Sequence, residues 1–143
     1  MIETFTITLG NGIDLSCRGA GTSGDPVLVF LHGFLSNKGE YISDTEEAAD
    51  NYKTVEFNNL WFASRGYAVL NYDARGHGDS GGQIALASKD FEIRDTQHLT
   101  GLLVDDGTAK RRKVAVLGGS YGGGQTWLLA TVRGKGAPQY GTW

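Results

Sequence analysis

The stretch Val114-Ala115-Val116-Leu117-Gly118-Gly119-Ser120-Tyr121-Gly122 decides how this sequence is read. Its first four residues have the composition of a strand buried on both faces. A G-x-S-x-G pattern follows at once, and then an apolar stretch with Trp127, Leu128, Leu129 and Val132. The expectation is a strand, a tight turn and a helix that Gly134 stops. The physical demands on such a turn are specific. A serine at its tip is held in a strained backbone conformation that lifts the hydroxyl clear of the sheet. Residues two before and two after it must be small, or they collide across the turn. Gly118 and Gly122 meet that condition. The start of the helix aims backbone N–H groups at the space beyond the serine, where an oxyanion would develop. Ser120 is therefore a candidate nucleophile. The competing reading is a glycine-rich connection with an incidental serine.

Working outward, two more runs look like the first. Val27-Leu28-Val29-Phe30-Leu31 and Tyr67-Ala68-Val69-Leu70-Asn71-Tyr72 both suit strands buried on both faces. Between them, residues 34–53 read as loop with short helical pieces. Phe57, Leu60, Trp61 and Ser64 then recur at helical spacing, and Gly66 stands where a helix would end. From about Asp90, Asp95, Leu99, Leu102 and Leu103 share a helix face that Gly107 ends. Near the N-terminus Phe5, Ile7 and Leu9 alternate, Gly10-Asn11-Gly12 makes a turn, and Ile13, Leu15 and Cys17 alternate again. That reads as a β-hairpin with one buried face. A hairpin followed by strand–helix–strand–helix–strand–helix belongs to the α/β class, a mostly parallel sheet with helices on both faces. Ligands bind at the carboxyl ends of such strands. The loops there are His32-Gly33-Phe34, residues 73–82 and residues 118–124. All three are rich in glycine, and the chain holds 22 glycines in 143 residues.

Composition narrows the function classes. The net charge of −3 argues against a dedicated nucleic-acid binder. The single cysteine excludes an internal disulfide framework and a CxxC zinc site. Cys17 alternates into the hairpin's apolar face and reads as core. No run approaches the length of a membrane span, and no basic-then-apolar leader is visible, so a cytoplasmic location is expected. Lys110-Arg111-Arg112-Lys113 reads as a solvated turn, and Asp44, Glu46, Glu47 and Asp50 as a solvated acidic segment bordering an entrance. Asp95 and His98 are three apart, but two potential ligands do not make a metal site. No metal and no cofactor is expected.

The loop Asp73-Ala74-Arg75-Gly76-His77-Gly78-Asp79-Ser80-Gly81 contains a formal G-x-G-x-x-G. A dinucleotide fingerprint should start at the strand end and open a helix, and this one does neither. No G-x-x-x-x-G-K-[ST] is present. Arg75, if buried, needs a partner, and Asp95 on an otherwise apolar helix face is the candidate.

On three stretches the chain resembles the α/β-hydrolase superfamily, closest to its X-prolyl dipeptidyl-peptidase and cocaine-esterase-like branch. They are Leu31-His32-Gly33-Phe34, the run from Arg65 through the Tyr72-Asp73-Ala74-Arg75-Gly76-His77-Gly78-Asp79-Ser80 loop, and Gly118-Gly119-Ser120-Tyr121-Gly122 continued to Gln125 and Trp127. The resemblance implies a serine hydrolase that cleaves a small ester or peptide through an acyl-enzyme. Ser120 would be the nucleophile, and the backbone N–H groups of Tyr121 and Phe34 the oxyanion hole. Some esterases of this branch use a tyrosine hydroxyl in the loop that holds Phe34; phenylalanine lacks it, so a backbone donor is assigned. Gly118, Gly122, Gly33, His32, Asp73 and Arg75 would support the site. His32 is assigned to bracing the loop rather than to catalysis, because in this fold the acid and then the histidine follow the serine.

The 23 residues after Ser120 contain no Asp, Glu or His. A serine hydroxyl is a weak nucleophile without an oriented base. A substitute triad would have to recruit His77 or His32 with Asp73 or Asp79. The chain is therefore expected to be one incomplete domain, residues 1–143: a hairpin and loop at 1–25, strand–helix repeats at 26–133 and a truncated tail at 134–143. It is expected to be inactive alone and to expose an unpaired, association-prone edge at 114–117. Two alternatives stay open, a non-catalytic binding module using the same cleft and a nucleotide-binding domain.

Overall fold

The computed structural model describes residues 2–10, 12–20, 26–42 and 58–132. The alternating N-terminal residues form β1 (Ile2–Thr8) and β2 (Asp14–Ala20), paired antiparallel with Ile7 opposite Leu15. Leu15 and Cys17 are fully buried, so the period of two sets one face of β2 on the core. β2 then pairs antiparallel with β4 (Ala68–Tyr72). β4 runs parallel to β3 (Val27–Leu31), and β3 parallel to β5 (Val114–Gly118). The sheet order is β1-β2-β4-β3-β5. Every residue of β3 and β4 is buried, as continuous apolar runs require in the middle of a covered sheet.

Alternate residues of these strands supply two hydrophobic layers. Val29, Leu31, Leu70 and Tyr72 join Leu15 and Cys17 against Leu99 and Leu103 of α2 (Glu92–Asp105). On the other face Leu28, Phe30 and Val69 pack with Tyr41, and with Phe62 and Ala63 of α1 (Asn59–Ala63). Tyr41 comes from a single 3-10 turn, Lys38–Tyr41. Burying a side chain such as Leu99 or Phe30 contributes about 1.5–3 kcal/mol relative to leaving it exposed. α3 (Ser120–Thr131) lies with α2, its Tyr121 and Leu129 against the first layer.

The elements fall where the sequence places them, with shifted ends. α1 begins at Asn59 because the Asn58 side chain caps it, accepting the Trp61 N–H at 2.9 Å. α2 begins at Glu92 rather than Asp90 and has no side-chain cap. Phe57, Asn11, Gly134 and the acidic residues Asp44, Glu46, Glu47 and Asp50 lie outside the described residues.

One expectation fails. β5 is not buried on both faces: its residues alternate between half-buried and exposed, and Leu117 is 36% exposed. Among the described residues β5 pairs only with β3, so its second side forms the sheet edge. The helix that follows is equally bare. Only Gly122 and Gln125 of α3 are buried, and Trp127 is 74% exposed. No helix among the described residues is long and apolar enough to cross a membrane.

Candidate active site

Ser120 is the first residue of α3 and takes a backbone φ of 50°, a left-handed conformation that costs a non-glycine residue energy. It is exposed at the tip of the turn. The flanking glycines explain how the turn closes. A Cβ on Gly118 would stand 2.5 Å from the Leu31 carbonyl oxygen and 2.7 Å from the Gly122 carbonyl carbon. A Cβ on Gly122 would overlap the same Leu31 oxygen. Smallness is thus demanded by the end of β3 as much as by the turn itself. Gly119 donates its N–H to the Tyr41 hydroxyl at 2.9 Å, and the Tyr41 ring stacks on Phe30 with centroids 4.7 Å apart.

The β3 loop is braced from two directions. His32 is buried, its Nδ1 donates to the Gly33 carbonyl at 2.8 Å, and its Nε2 accepts the Ala74 N–H at 2.9 Å. Both ring nitrogens are therefore engaged, which fits a neutral imidazole. Burial holds its pKa below the ordinary histidine value. The Gly33 N–H is taken by the buried Glu40 carboxylate at 2.7 Å. Phe34, next along, is 48% exposed. Its ring lies 5.6 Å from that of Tyr121 and 5.8 Å from that of His77, and the Tyr121 and His77 rings are 5.5 Å apart. One aromatic residue from each of the three glycine-rich loops meets in this cluster.

The β4 loop is organised by two buried acids. The Asp73 carboxylate accepts the Lys38 N–H at 2.5 Å, the Lys38 Nζ at 2.8 Å and the Asp79 N–H at 2.8 Å. Lys38 Nζ also reaches Asp79 at 2.7 Å. Burial opposes the charge on Lys38, but the hydrogen bonds to Asp73 and Asp79 outweigh it and raise its pKa. Arg75 and Asp95 form the pair expected from periodicity. The guanidinium meets the carboxylate in a fork, Nε to Oδ2 at 2.6 Å and Nη2 to Oδ1 at 2.5 Å, with both residues buried. Burial pushes the Asp95 carboxyl up against the pull of Arg75, while Asp95 raises Arg75.

These contacts dispose of several alternatives. Asp73 and Asp79 pair with Lys38, not with a histidine, and His77 Nδ1 lies against the Arg75 carbonyl at 3.1 Å. No substitute triad is assembled from them. Gly76 to Gly81 form tight turns, closed by Gly76 N–H to Gly81 carbonyl and Ser80 N–H to His77 carbonyl bonds. The next helix starts only at Glu92, so the G-x-G-x-x-G does not open a helix as a dinucleotide site requires. Asp95 is committed to Arg75, and no three metal-ligating side chains gather among the described residues. Cys17 is buried, and that burial pushes its thiol up to about 12, an inert core cysteine. The basic run at 110–113 is exposed.

Sequence reasoning missed Lys38, Glu40, Tyr41 and Glu92. The first three lie in an irregular polar stretch with no periodicity to flag them. Glu92 left a signal. It shares one helical stripe with Thr96, Leu99 and Leu103, so a carboxylate stands on the buried face of α2.

A parallel sheet with an antiparallel hairpin, helices on both faces and a strained serine between strand and helix defines an α/β hydrolase. The alpha/beta hydrolase GrgF from Penicillium sp. sh18 has this fold, matching with a TM-score of 0.73 and 20% identity over 96% of this chain and 44% of its own. Residues 26–137 match the X-Pro dipeptidyl-peptidase (S15 family) model, and the chain belongs to that family. Dipeptidyl aminopeptidase BIII of Pseudoxanthomonas mexicana is 30% identical over 128 residues, covering 82% of this chain. Dipeptidyl peptidase family member 6 of Caenorhabditis elegans is 36% identical over 92 residues, covering 59% of it. The chain spans 16% and 12% of the lengths of these two relatives.

Proposed function

We propose that this chain carries the nucleophile and oxyanion hole of a serine hydrolase acting on small esters or peptides, in the manner of X-prolyl dipeptidyl-peptidases and acyl esterases. The reading rests chiefly on one observation, the left-handed Ser120 exposed at a turn that tolerates no Cβ on either flanking glycine. Ser120 Oγ attacks the carbonyl carbon, its proton passes to a general base, and the carbonyl electron pair moves onto oxygen. The N–H groups of Tyr121 and Phe34 stabilise that oxyanion. The tetrahedral intermediate collapses, the leaving alcohol or amine takes the proton, and Ser120 keeps the acyl group. Water then repeats the sequence to release the acid. His32 is unsuited to be the base because both its nitrogens brace loops. The relatives are several times longer than this chain, and the base and its acid are assigned to sequence outside these 143 residues.

The test is active-site labelling of the full-length protein with a fluorophosphonate, read by peptide mass spectrometry, beside hydrolysis of a p-nitrophenyl ester. Label on Ser120, with label and turnover both lost in Ser120→Ala, is the expected result. Turnover that survives Ser120→Ala overturns the proposal, as does ordinary turnover by the isolated 143-residue chain, which would place the base within it.

A further inference from the structure

Glu92 is completely buried in the first turn of α2, yet it caps nothing there. Its carboxylate reaches back instead to the loop at 83–91. Oε1 accepts the Ala85 N–H at 2.6 Å and Oε2 the Ser88 N–H at 2.9 Å. Between these anchors Leu86 and Ala87 both adopt left-handed φ, 55° and 59°, although neither is glycine. Two consecutive strained residues persist only where their surroundings over-determine them. The third partner of the carboxylate belongs to another element. The Tyr121 hydroxyl donates to Glu92 Oε1 at 3.2 Å and accepts the Ala87 N–H at 3.2 Å. Burial, with the Glu92 carboxylate beside it, pushes the Tyr121 phenol up to about 12, so it stays protonated and keeps donating.

Tyr121 follows Ser120 directly, and its ring packs against Phe34 and His77. The two residues assigned as oxyanion donors thus share one aromatic cluster. The far end of the Tyr121 ring is held by the Glu92 carboxylate and the Ala87 N–H. We propose that Glu92 is a positioning residue of the hydrolytic site, aligning the Tyr121 peptide N–H through the Tyr121 hydroxyl and the strained 85–88 loop. This rests on Ser120 being the nucleophile and Tyr121 an oxyanion donor. A peptide N–H tilted away from the oxyanion weakens an interaction made only in the transition state, so kcat falls and KM does not.

The experiment uses the full-length protein with p-nitrophenyl butyrate as probe. Tyr121→Phe keeps the ring and the peptide N–H and removes only the hydroxyl; Glu92→Gln keeps the shape and removes the charge. The expected result is a fall in kcat of about tenfold in each variant. KM stays within about twofold, and fluorophosphonate labelling of Ser120 slows in proportion to kcat. A merely structural role would lower the melting temperature and the folded fraction but leave kcat per folded molecule unchanged, and that outcome overturns the proposal. Should Glu92→Gln fail to fold, Tyr121→Phe alone decides. Ser120→Ala runs beside them. If it abolishes turnover while Tyr121→Phe keeps wild-type kcat, the role of Glu92 is wrong and the nucleophile stands. If Ser120→Ala retains turnover, both fall.

Discussion

β3 and β5 are neighbours in one sheet, in register from Val27 opposite Val114 to Leu31 opposite Gly118, and both read as apolar runs. Every residue of β3 is buried, whereas β5 alternates between half-buried and exposed. The difference lies in the neighbours. β3 has strands on both sides and packed layers on both faces, while β5 has one strand partner among the described residues. An apolar run specifies a strand, and the sheet order then decides how much of it is covered. The consequence for the site is direct, because a strand with little packing of its own leads into Ser120. The elbow is held from β3's side, through Gly118 and Gly122 against the Leu31 carbonyl and through Gly119 against Tyr41. Ser120 is positioned by the neighbouring strand rather than by its own.

The sharpest way to break this contrast is at Phe30, which faces Leu117 in the register and is 1% exposed. Its ring stacks on Tyr41 and meets Phe62 edge-on at 5.8 Å. Phe30→Ala is expected to cost about 3–5 kcal/mol, since it removes a fully buried ring and leaves a cavity under the residue that supports Gly119. Urea denaturation measures it. A loss below about 1 kcal/mol would show that β3 is no better packed than β5.

A smaller effect comes from the β3 loop. The native state keeps His32 neutral and its pKa below 6.5, while the unfolded chain protonates it at about that pH. The unfolded state therefore binds more protons in the window below 6.5, and stability falls as pH drops through it, levelling off below the folded pKa. This one group contributes at most about 1.4 kcal/mol per pH unit and nothing above the window. His32→Gln should flatten the slope by up to that amount below pH 6.5 and leave it unchanged above. Equal slopes in the two proteins would mean that the buried imidazole accepts its proton inside the fold.

Much of this was legible in the residues themselves. Period-two alternation marked the hairpin, apolar runs marked β3 and β4, and the spacing of Gly118, Ser120 and Gly122 marked the elbow. The Arg75–Asp95 pair followed from a charge on an apolar helix face. What sequence could not carry was partnership at long range. Glu40 on Gly33, Tyr41 on Gly119 and Lys38 on Asp73 all reach out of an irregular stretch with no period to betray them. β5 was half legible: its apolar run reads as a strand buried on both faces, which fails, while an unpaired edge at 114–117 was expected beside it. Glu92 was readable from its helix face, but its partner Tyr121 lies 29 residues away.

The last prediction concerns Leu117 itself. Its side chain keeps 36% of its exposure, so water reaches the space that truncation would open, and no closed cavity forms. Leu117→Ala is therefore expected to cost under about 1 kcal/mol by the same denaturation assay, several times less than Phe30→Ala directly across the register. The two substitutions are on facing residues of one sheet, so once the larger size of the phenylalanine ring is allowed for, their difference reads packing. In a longer protein that covers this face, the same Leu117→Ala change would rise towards the buried-leucine range of about 2–5 kcal/mol. Measuring it in both lengths of chain turns the bare edge into a gauge of what lies against β5, and through β5 of what steadies Ser120.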